Sequence, residues 1–417
     1  MKTSNVGSSK RRIFISTGEV SGDLQGALLI KALQRRAAAL DLELEISALG
    51  GVQMAQAGAT LLADTSAIGS IGLFESLPFV VSTLQIQRRV RQCLQQFPPD
   101  LVVMIDYFGP NLGIGQFVRQ RLPHVPTVYY IAPQEWVWSI SQRNTQSILK
   151  ITDRLLAIFP AEAAYYQARG AQVDWVGHPL IDKMQHAPSR QTARAMLGID
   201  QEALAVALIP MSRPQELKYV LPVMFAAAQQ IQAELPQVQF WIPLALERYR
   251  SSIEQAIRQF GLQATLVSGS EVVIAAANLV IAKSGTVNLE TALLEVPQVV
   301  MYRINRLTAW IAKYILRFSV PFISPPNLVM MQRIVPEFLQ AEATPTAIAQ
   351  TALEILQNPE VQREMQANYR QMRQKLGETG VCDRAAEAIL QQLMLQPLKE
   401  GSPIAAPSQT LDKSLNL

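Results

Sequence analysis

The chain holds little that could cross-link it, bind a metal or carry it through a membrane. Of its 417 residues only 2 are cysteine and 3 are histidine. Cys93 and Cys382 make neither a disulfide framework nor a metal cluster, and both are expected to be inert thiols on helices. His124, His178 and His186 lack metal-ligand spacing such as His-Glu-x-x-His. Asp-x-Asp, a common holder of a divalent ion on a nucleotide sugar, is absent too, so no metal and no cofactor is expected. No run reaches the roughly 18 apolar residues that a spanning helix needs. Residues Met1 to Lys10 are polar and the apolar run behind them is too short for a signal peptide. A cytoplasmic location is therefore expected. Gly-x-Gly-x-x-Gly and the Gly-Lys-Ser/Thr phosphate-loop core are missing, which argues against a dinucleotide-dependent dehydrogenase and a Walker-type NTPase. A net charge of +4 and a pI near 9.0 fall short of the concentrated basic face that nucleic acid requires. They suit anionic phosphates or an anionic membrane surface.

What is present suits a globular enzyme, 49% hydrophobic and 17% charged, and slightly oily at a mean hydropathy of +0.13. A chain this long exceeds one ordinary core, so two domains are expected. Strand signals fall at Arg12–Ser16, Leu42–Ala48, Leu101–Ile105, Thr127–Ile131, Arg154–Phe159 and Asp174–Val176. After a polar linker, Asp182 to Gln191, they resume at Leu204–Pro210, Gln239–Pro243, Ala264–Val267, Leu279–Ala282 and Gln298–Met301. Helical patterns separate most of them, including Gln215–Leu235 and Gly285–Glu295. Such alternation predicts parallel sheets with helices on both faces. Leu-Val-Val-Met-Ile, with no polar alternation, fits a strand buried on both sides. The end reads as helices at Pro345–Leu356, Val361–Leu376 and Arg384–Leu395, followed by a Pro-, Ser- and Lys-containing tail expected to be disordered.

Several turns follow strands, where open α/β sheets bind ligands. The first is Ser16-Thr-Gly-Glu-Val-Ser-Gly-Asp23. It carries acids at Glu19 and Asp23 where a pyrophosphate cradle would present bare amides, and so suits hydroxyls or amines, such as those of a sugar. Asp106 ends the strand Leu101–Ile105. A half-desolvated carboxylate there is a candidate base; the alternative is a helix cap. Lys283-Ser-Gly-Thr-Val-Asn-Leu-Glu290 opens a helix with small residues. Ser284, Gly285 and Thr286 can hold a diphosphate and Glu290 a ribose, or the segment is an ordinary capped helix. In Pro210-Met-Ser-Arg213 with Glu216, the Arg213 guanidinium can neutralise a departing phosphate or lie in a surface loop. Trp136 and Trp138 either stack on sugars or fill core. Residues 71–81 and 306–318, apolar with Arg or Lys nearby, read as interfacial helices or as core.

Glu19-Val-Ser-Gly-Asp, Ile105-Asp106 with Asn111, Pro133…Trp136-Val-Trp138, Val176-Gly-His-Pro179, Ser212-Arg213…Glu216, Ser284-Gly-Thr…Glu290 and Pro326-Asn327-Leu occur in an order that resembles the lipid-A-disaccharide synthase family, inverting glycosyltransferases of the GT-B type. The resemblance runs from about Arg12 to Gln391. It implies two Rossmann-like doubly wound domains facing a cleft, with C-terminal helices packing back on the first. The implied division is a flexible start (1–11), an acceptor-side domain (12–182), a UDP-binding domain (183–357), returning helices (358–396) and a tail (397–417). The implied reaction joins UDP-2,3-diacylglucosamine to 2,3-diacylglucosamine 1-phosphate and releases UDP and the β(1→6) disaccharide 1-phosphate.

The same resemblance implies roles. Asp106 would be the general base, with Glu19 in the active-site turn and Gly18, Ser21 and Asn111 on the acceptor side. Arg213, Ser284, Gly285, Thr286, Glu290 and Asn327 would line the UDP side. Leu73, Phe74, Leu77, Phe79 and Val80 would touch the anionic cytoplasmic face of the inner membrane. A monomer or a homodimer exchanging C-terminal segments is implied. The chain departs from the family pattern at Met211, where Gly is usual, at Gly109, where a second Asp is common, and at Met330-Met-Gln332, where Ala-Gly-Arg is frequent. The rivals are another lipid-directed GT-B transferase, a UDP-sugar epimerase, or a binding protein of this fold without chemistry.

Overall fold

A computed structural model describes residues 10–18, 20–65, 73–137, 142–211, 214–244, 246–305 and 321–395, with only the backbone of 20 and 73–82. Residues 1–9 of the start expected to be flexible, the tail and the 306–318 stretch lie outside these residues, as do Glu19, Trp138, Ser212 and Arg213, whereas Lys10 and Arg11 of that start belong to the first strand.

The first sheet contains β1 (Lys10–Ser16), β2 (Glu43–Gly50), β3 (Thr60–Asp64), β4 (Leu101–Ile105), β5 (Thr127–Tyr130), β6 (Arg154–Ala157) and β7 (Val173–Trp175). Its order is β3-β2-β1-β4-β5-β6-β7, and each described pairing is parallel. The second contains β8 (Ala205–Ile209), β9 (Gln239–Pro243), β10 (Ala264–Val267), β11 (Leu279–Lys283), β12 (Gln298–Tyr302) and β13 (Glu337–Leu339). Its order is β10-β9-β8-β11-β12-β13, again parallel.

The apolar runs explain why the sheets are doubly wound. Successive side chains of a strand point to opposite faces. Ile13, Ile15, Leu101, Val103 and Ile105 enter one core while Phe14, Val102 and Met104 enter another. Val206 and Leu208 are likewise separated from Ala207 and Ile209. Each face needs its own helical cover, and a run without polar alternation is what two covered faces require.

Strands β3 and β13 were not expected. Both are short edge strands whose described residues are half-buried or exposed, so neither carries an apolar run. The helix expected over Gln215–Leu235 is two, Pro214–Tyr219 and Leu221–Glu234, broken where Pro222 enters the first turn of the second and lacks the N–H to continue the first.

The chain's end binds the halves together. Helix Pro359–Leu376 stays with the second sheet: Gln298 Nε2 donates to the Tyr369 hydroxyl at 3.3 Å, and Gln366 Nε2 to the Glu295 carbonyl at 3.2 Å. Helix Val381–Met394 then returns to the first unit and packs on Val20–Ala38. Its first turn is capped from the linker: Asp182 accepts from the amides of Gly380, Val381 and Cys382 at 2.7, 3.2 and 2.8 Å. At the crossing, the His178 amide donates to the Leu376 carbonyl at 2.8 Å. Gly177 there has φ +90°, and a Cβ would sit 3.0 Å from that same carbonyl.

The returning helix also pairs Arg36 with Glu387 at 2.9 Å, and Asp383 with Arg35. Exposed pairs contribute about 0.2–1 kcal/mol each. Burying Ile389, Leu390 and Leu393, each no more than 1% exposed, contributes about 1.5–3 kcal/mol apiece. Apolar burial therefore decides the docking, and the charges orient it. Among the described residues no helix is long and apolar enough to cross a membrane.

Candidate active site

In each sheet the strand order reverses once near its middle, between β1 and β4 and between β8 and β11. Loops leaving the carboxyl ends of such strand pairs diverge and open a crevice. The loops after β1 and β4 carry Gly18 and Asp106. Those after β8 and β11 carry Met211 and the Ser284–Glu290 segment.

Asp106 is half-buried and lies in the left-handed region with φ +47°, followed by Tyr107 at +45°. Two consecutive non-glycine residues in that region cost of order 1–3 kcal/mol each, so the surroundings must hold them. The Asp106 amide donates to the Ile131 carbonyl at 3.0 Å. The Asp106 carbonyl accepts from Asn111 Nδ2 and from the Tyr129 hydroxyl, both at 2.7 Å. Asn111 Nδ2 also donates to the Ile105 carbonyl at 3.0 Å, and Asn111 Oδ1 accepts from the Ser16 hydroxyl at 2.6 Å. Ser16 ends β1, so one buried amide ties the ends of both central strands to the Asp106 turn. Burial pushes the Tyr129 phenol well above its ordinary range, and the Asp106 charge adds to this; it remains a donor.

The neighbouring loop is shaped to fit. A Cβ on Gly18 would come within 1.9 Å of the Tyr107 ring, so the first turn and the Tyr107 face are in direct contact. Ser21 is half-buried in the first helical turn. Asp23 caps a neighbouring helix, accepting from the amides of Gly51, Met54 and Gln53 at 2.8, 3.0 and 3.1 Å. At Gly109 no atom lies within 4 Å of the Cβ position, so the family's aspartate would find open space.

Behind Asp106 stands Glu162, 1% exposed. Burial raises its pKa to about 8; the amides of Ile158, Phe159 and Ala132 oppose this, and the Asp106 charge assists it. Glu162 is thus mostly protonated at neutral pH. His178, buried against Phe159 with ring centroids 5.4 Å apart, is lowered to about 3 by burial. Trp136, half-buried, is 5.7 Å from Phe159; this ring row runs into the core.

At the second reversal, Met211 is 6% exposed and packs into the main core, so its side chain is drawn away from solvent. Met331, which ends helix Pro325–Met330 between β12 and β13, is 55% exposed. The Ser284 amide donates to the Met301 carbonyl at 2.9 Å and its hydroxyl to the Ile323 carbonyl. The Gly285 amide donates to Asn288 Oδ1 at 2.8 Å. These groups are engaged by β12, by Ile323 and by the loop's own Asn288; the amides of Thr286 and Val287 have no partner among the described residues. Glu290 is 6% exposed and Lys183 Nζ reaches it at 2.8 Å and Glu271 at 2.6 Å. Asn327 has spent its whole amide on the loop. Its Nδ2 donates to the Val335 carbonyl and to Glu337, both at 3.0 Å. Its Oδ1 accepts from Ile334 and Val335 at 2.7 and 2.9 Å.

Three residues here had no role assigned from sequence. Tyr129 sits within an apolar strand and reads as core. Glu162 bonds the nearby amides of Ile158 and Phe159 but is felt by the distant Asp106, and Lys183 reaches Glu290 from far away in the chain. Leu73, Phe74, Leu77, Phe79 and Val80, expected from sequence to touch a membrane, lie on helix Leu73–Gln96, of which only the backbone is described over 73–82. Among the described residues no three His, Cys, Asp or Glu side chains group as metal ligands.

Residues 13–392 match the family model described as lipid-A-disaccharide synthetase. The chain is 57% identical to the lipid-A-disaccharide synthase of Gloeothece citriformis over 380 residues, covering 91% of this chain and 99% of that one. It is 53% identical to that of Synechocystis sp. over 383 residues, covering 91% and 97%. In three dimensions it resembles the UDP co-structure of Staphylococcus aureus MnaA, with a TM-score of 0.64 at 13% identity, covering 95% of this chain and 100% of that one. A likeness at that identity concerns the fold, a GT-B pair of Rossmann-like units. Sequence and architecture together place the chain in the lipid-A-disaccharide synthase family, a glycosyltransferase that forms the lipid A disaccharide.

Proposed function

We propose that the protein condenses UDP-2,3-diacylglucosamine with 2,3-diacylglucosamine 1-phosphate, using Asp106 as general base without a metal. The observation that carries this is the clamped, left-handed Asp106 at the first strand-order reversal. Asp106 takes the proton of the acceptor 6-hydroxyl. The freed oxygen attacks the anomeric carbon from the face opposite UDP. The new β(1→6) bond forms as the bond to the diphosphate breaks, and UDP leaves with the electron pair. One base and one inversion suffice.

The neutral state of Glu162 supports this division of labour. It keeps a second full negative charge away from the base. The acceptor belongs to the unit of residues 12–182, with Gly18, Ser21 and Glu19 beside it and Asn111 acting through Asp106. UDP belongs to residues 183–357, with Thr286 and Arg213 toward the phosphates and Glu290 toward the ribose. Ser284, Gly285 and Asn327 shape that loop. Leu73, Phe74, Leu77, Phe79 and Val80 bring the enzyme to the cytoplasmic face of the inner membrane, where its acylated substrates lie. The protein acts as a monomer or as a homodimer exchanging C-terminal segments, and native mass spectrometry distinguishes the two.

The test is a donor-plus-acceptor incubation read by mass spectrometry. Disaccharide monophosphate and UDP are expected from wild type, and none from plain UDP-N-acetylglucosamine, which separates this reading from an epimerase. Asp106→Asn is expected to bind UDP and make no product. An active Asp106→Asn variant would remove the base from the mechanism.

A further inference from the structure

A carboxylate recognises a ribose by accepting its hydroxyl protons, and it does so best when it is ionised and cannot turn away. Glu290, proposed above to face the ribose, is 6% exposed. Burial by itself drives a carboxyl toward its protonated form. A charge from outside the short helix Val287–Leu293 must offset that.

Lys183 supplies the charge. Its ammonium lies 2.8 Å from Glu290 Oε1 and 2.6 Å from Glu271 Oε1. The backbone that carries it is anchored on two sides. In helix Leu180–Met184 the side chains of Leu180, Ile181 and Met184 are buried, and Asp182 holds the three amides that open the returning helix. Glu290 is fixed as well, because Leu289 and Leu293 beside it enter the main core.

Two properties of this cluster point to a neutral ligand that brings hydroxyl groups. Glu290 and Glu271 share one ammonium, which leaves one negative charge in excess. That excess repels a phosphate and attracts O–H donors. Secondly, a carboxylate has about four acceptor sites. Lys183 bonds Oε1 of Glu290, and Oε2 takes no hydrogen bond among the described residues. The cation fixes the carboxylate without exhausting it.

We propose that Lys183 is a positioning residue that holds the Glu290 carboxylate in place to accept the ribose hydroxyls of the nucleotide sugar, and so sets the preference for a ribonucleotide. This rests on the UDP-sugar reading above and deepens it at the ribose. Lys183 acts through Glu290 and touches no substrate atom.

The test measures UDP and 2′,3′-dideoxy-UDP affinities by titration calorimetry on wild type, Lys183→Met and Lys183→Arg. Lys183→Met with Glu271→Gln is a further variant; it keeps the single excess negative charge of the cluster, so it stays folded if Lys183→Met does not. Wild type is expected to prefer UDP by at least roughly 30-fold, the scale for hydrogen bonds to a charged acceptor. Both Met variants are expected to lose at least tenfold in UDP affinity and less than about threefold in dideoxy-UDP affinity, so the preference collapses; Lys183→Arg recovers part of it. With UDP-2,3-diacylglucosamine the Met variants should raise KM more than they lower kcat, the pattern of lost uniform binding. A merely structural role would weaken both nucleotides by one common factor. That result, or a preference kept in the double variant, overturns the proposal and leaves the ribose assignment of Glu290 standing. A wild type that binds both nucleotides equally overturns that assignment too, and one that binds neither overturns the nucleotide-sugar reading, so the failures are told apart.

Discussion

Asn111 Nδ2 lies 2.7 Å from the carbonyl oxygen of Asp106, five residues earlier in the chain, and holds that residue in a conformation it would not adopt alone. The same amide is fully buried and also receives the Ser16 hydroxyl. Asn111 was expected on the acceptor side as a binding residue. The geometry supports a positioning role, because both of its N–H groups are already donated.

Asn111→Ala should therefore cost stability and turnover together. Two buried hydrogen bonds to carbonyls are lost, and the Ile105 carbonyl is stranded, at a cost of about 2–3 kcal/mol. With Asp106 free to relax, kcat should fall roughly 10- to 100-fold while UDP affinity stays within about twofold. Urea unfolding and calorimetry read these separately. A variant with normal kcat would show that the clamp does not matter to the chemistry.

Gly18 and Tyr107 make a second coupled pair. A methyl at position 18 would meet the Tyr107 ring at 1.9 Å, so Gly18→Ala forces the ring and its neighbour Asp106 to move. The expected cost is about 1–3 kcal/mol, as for other overpacked sites. Tyr107→Ala should make room, so the double variant is expected to be more stable than the sum of the single effects by at least about 1 kcal/mol. Simple additivity would mean that the strain is relieved elsewhere.

Two buried titrating groups set opposite pH trends. His178 has a folded pKa of about 3, below its ordinary 6.5; the fold prefers its neutral form, so stability is lost as pH falls from 6.5 toward 3. Glu162 has a folded pKa of about 8, above its ordinary 4.5; its neutral form is preferred too, so stability is lost as pH rises from 4.5 to 8. Each slope is at most about 1.4 kcal/mol per pH unit. The two cancel between 4.5 and 6.5, leaving a plateau with a fall on either side. Glu162→Gln should flatten the alkaline fall. His178→Asn, whose carbonyl can still accept the Leu180 amide, should flatten the acid one. Urea midpoints against pH check both, and variants that track wild type would refute the assignment.

These relationships show what the sequence makes legible. The central strands were readable because Leu101–Ile105 and Leu279–Ala282 are apolar on both faces, and the candidate loops follow from their carboxyl ends. Edge strands Thr60–Asp64 and Glu337–Leu339 were not, since a half-exposed edge needs no apolar run. Within the site, types and places were readable at Asp106 and Ser284. Who holds whom was not. Tyr129 and Asp106 are 23 positions apart and meet only because β4 and β5 pair, and no periodicity records that.

A wider separation of this kind is Lys183 with Glu290, 107 positions apart at 2.8 Å. Lys183 belongs to the linker helix Leu180–Met184 and Glu290 to the helix proposed to face the ribose. Burial alone would lower the Lys183 pKa, but Glu290 and Glu271 outweigh it and raise it, so the ammonium stays charged. Lys183→Met leaves Glu290 buried and Glu271 beside it without that cation. The expected loss is about 3 kcal/mol, the scale for removing one partner of a buried pair. Adding Glu290→Gln removes the stranded charge, so the double variant should regain most of that loss and unfold later than Lys183→Met alone. High salt should narrow the gap only slightly, because the pair is mostly shielded from solvent. If the two substitutions simply add, the linker and the nucleotide loop are not electrostatically tied. If they couple as expected, a change at the ribose side is felt at the one segment that joins the two halves of the molecule ahead of the returning helix.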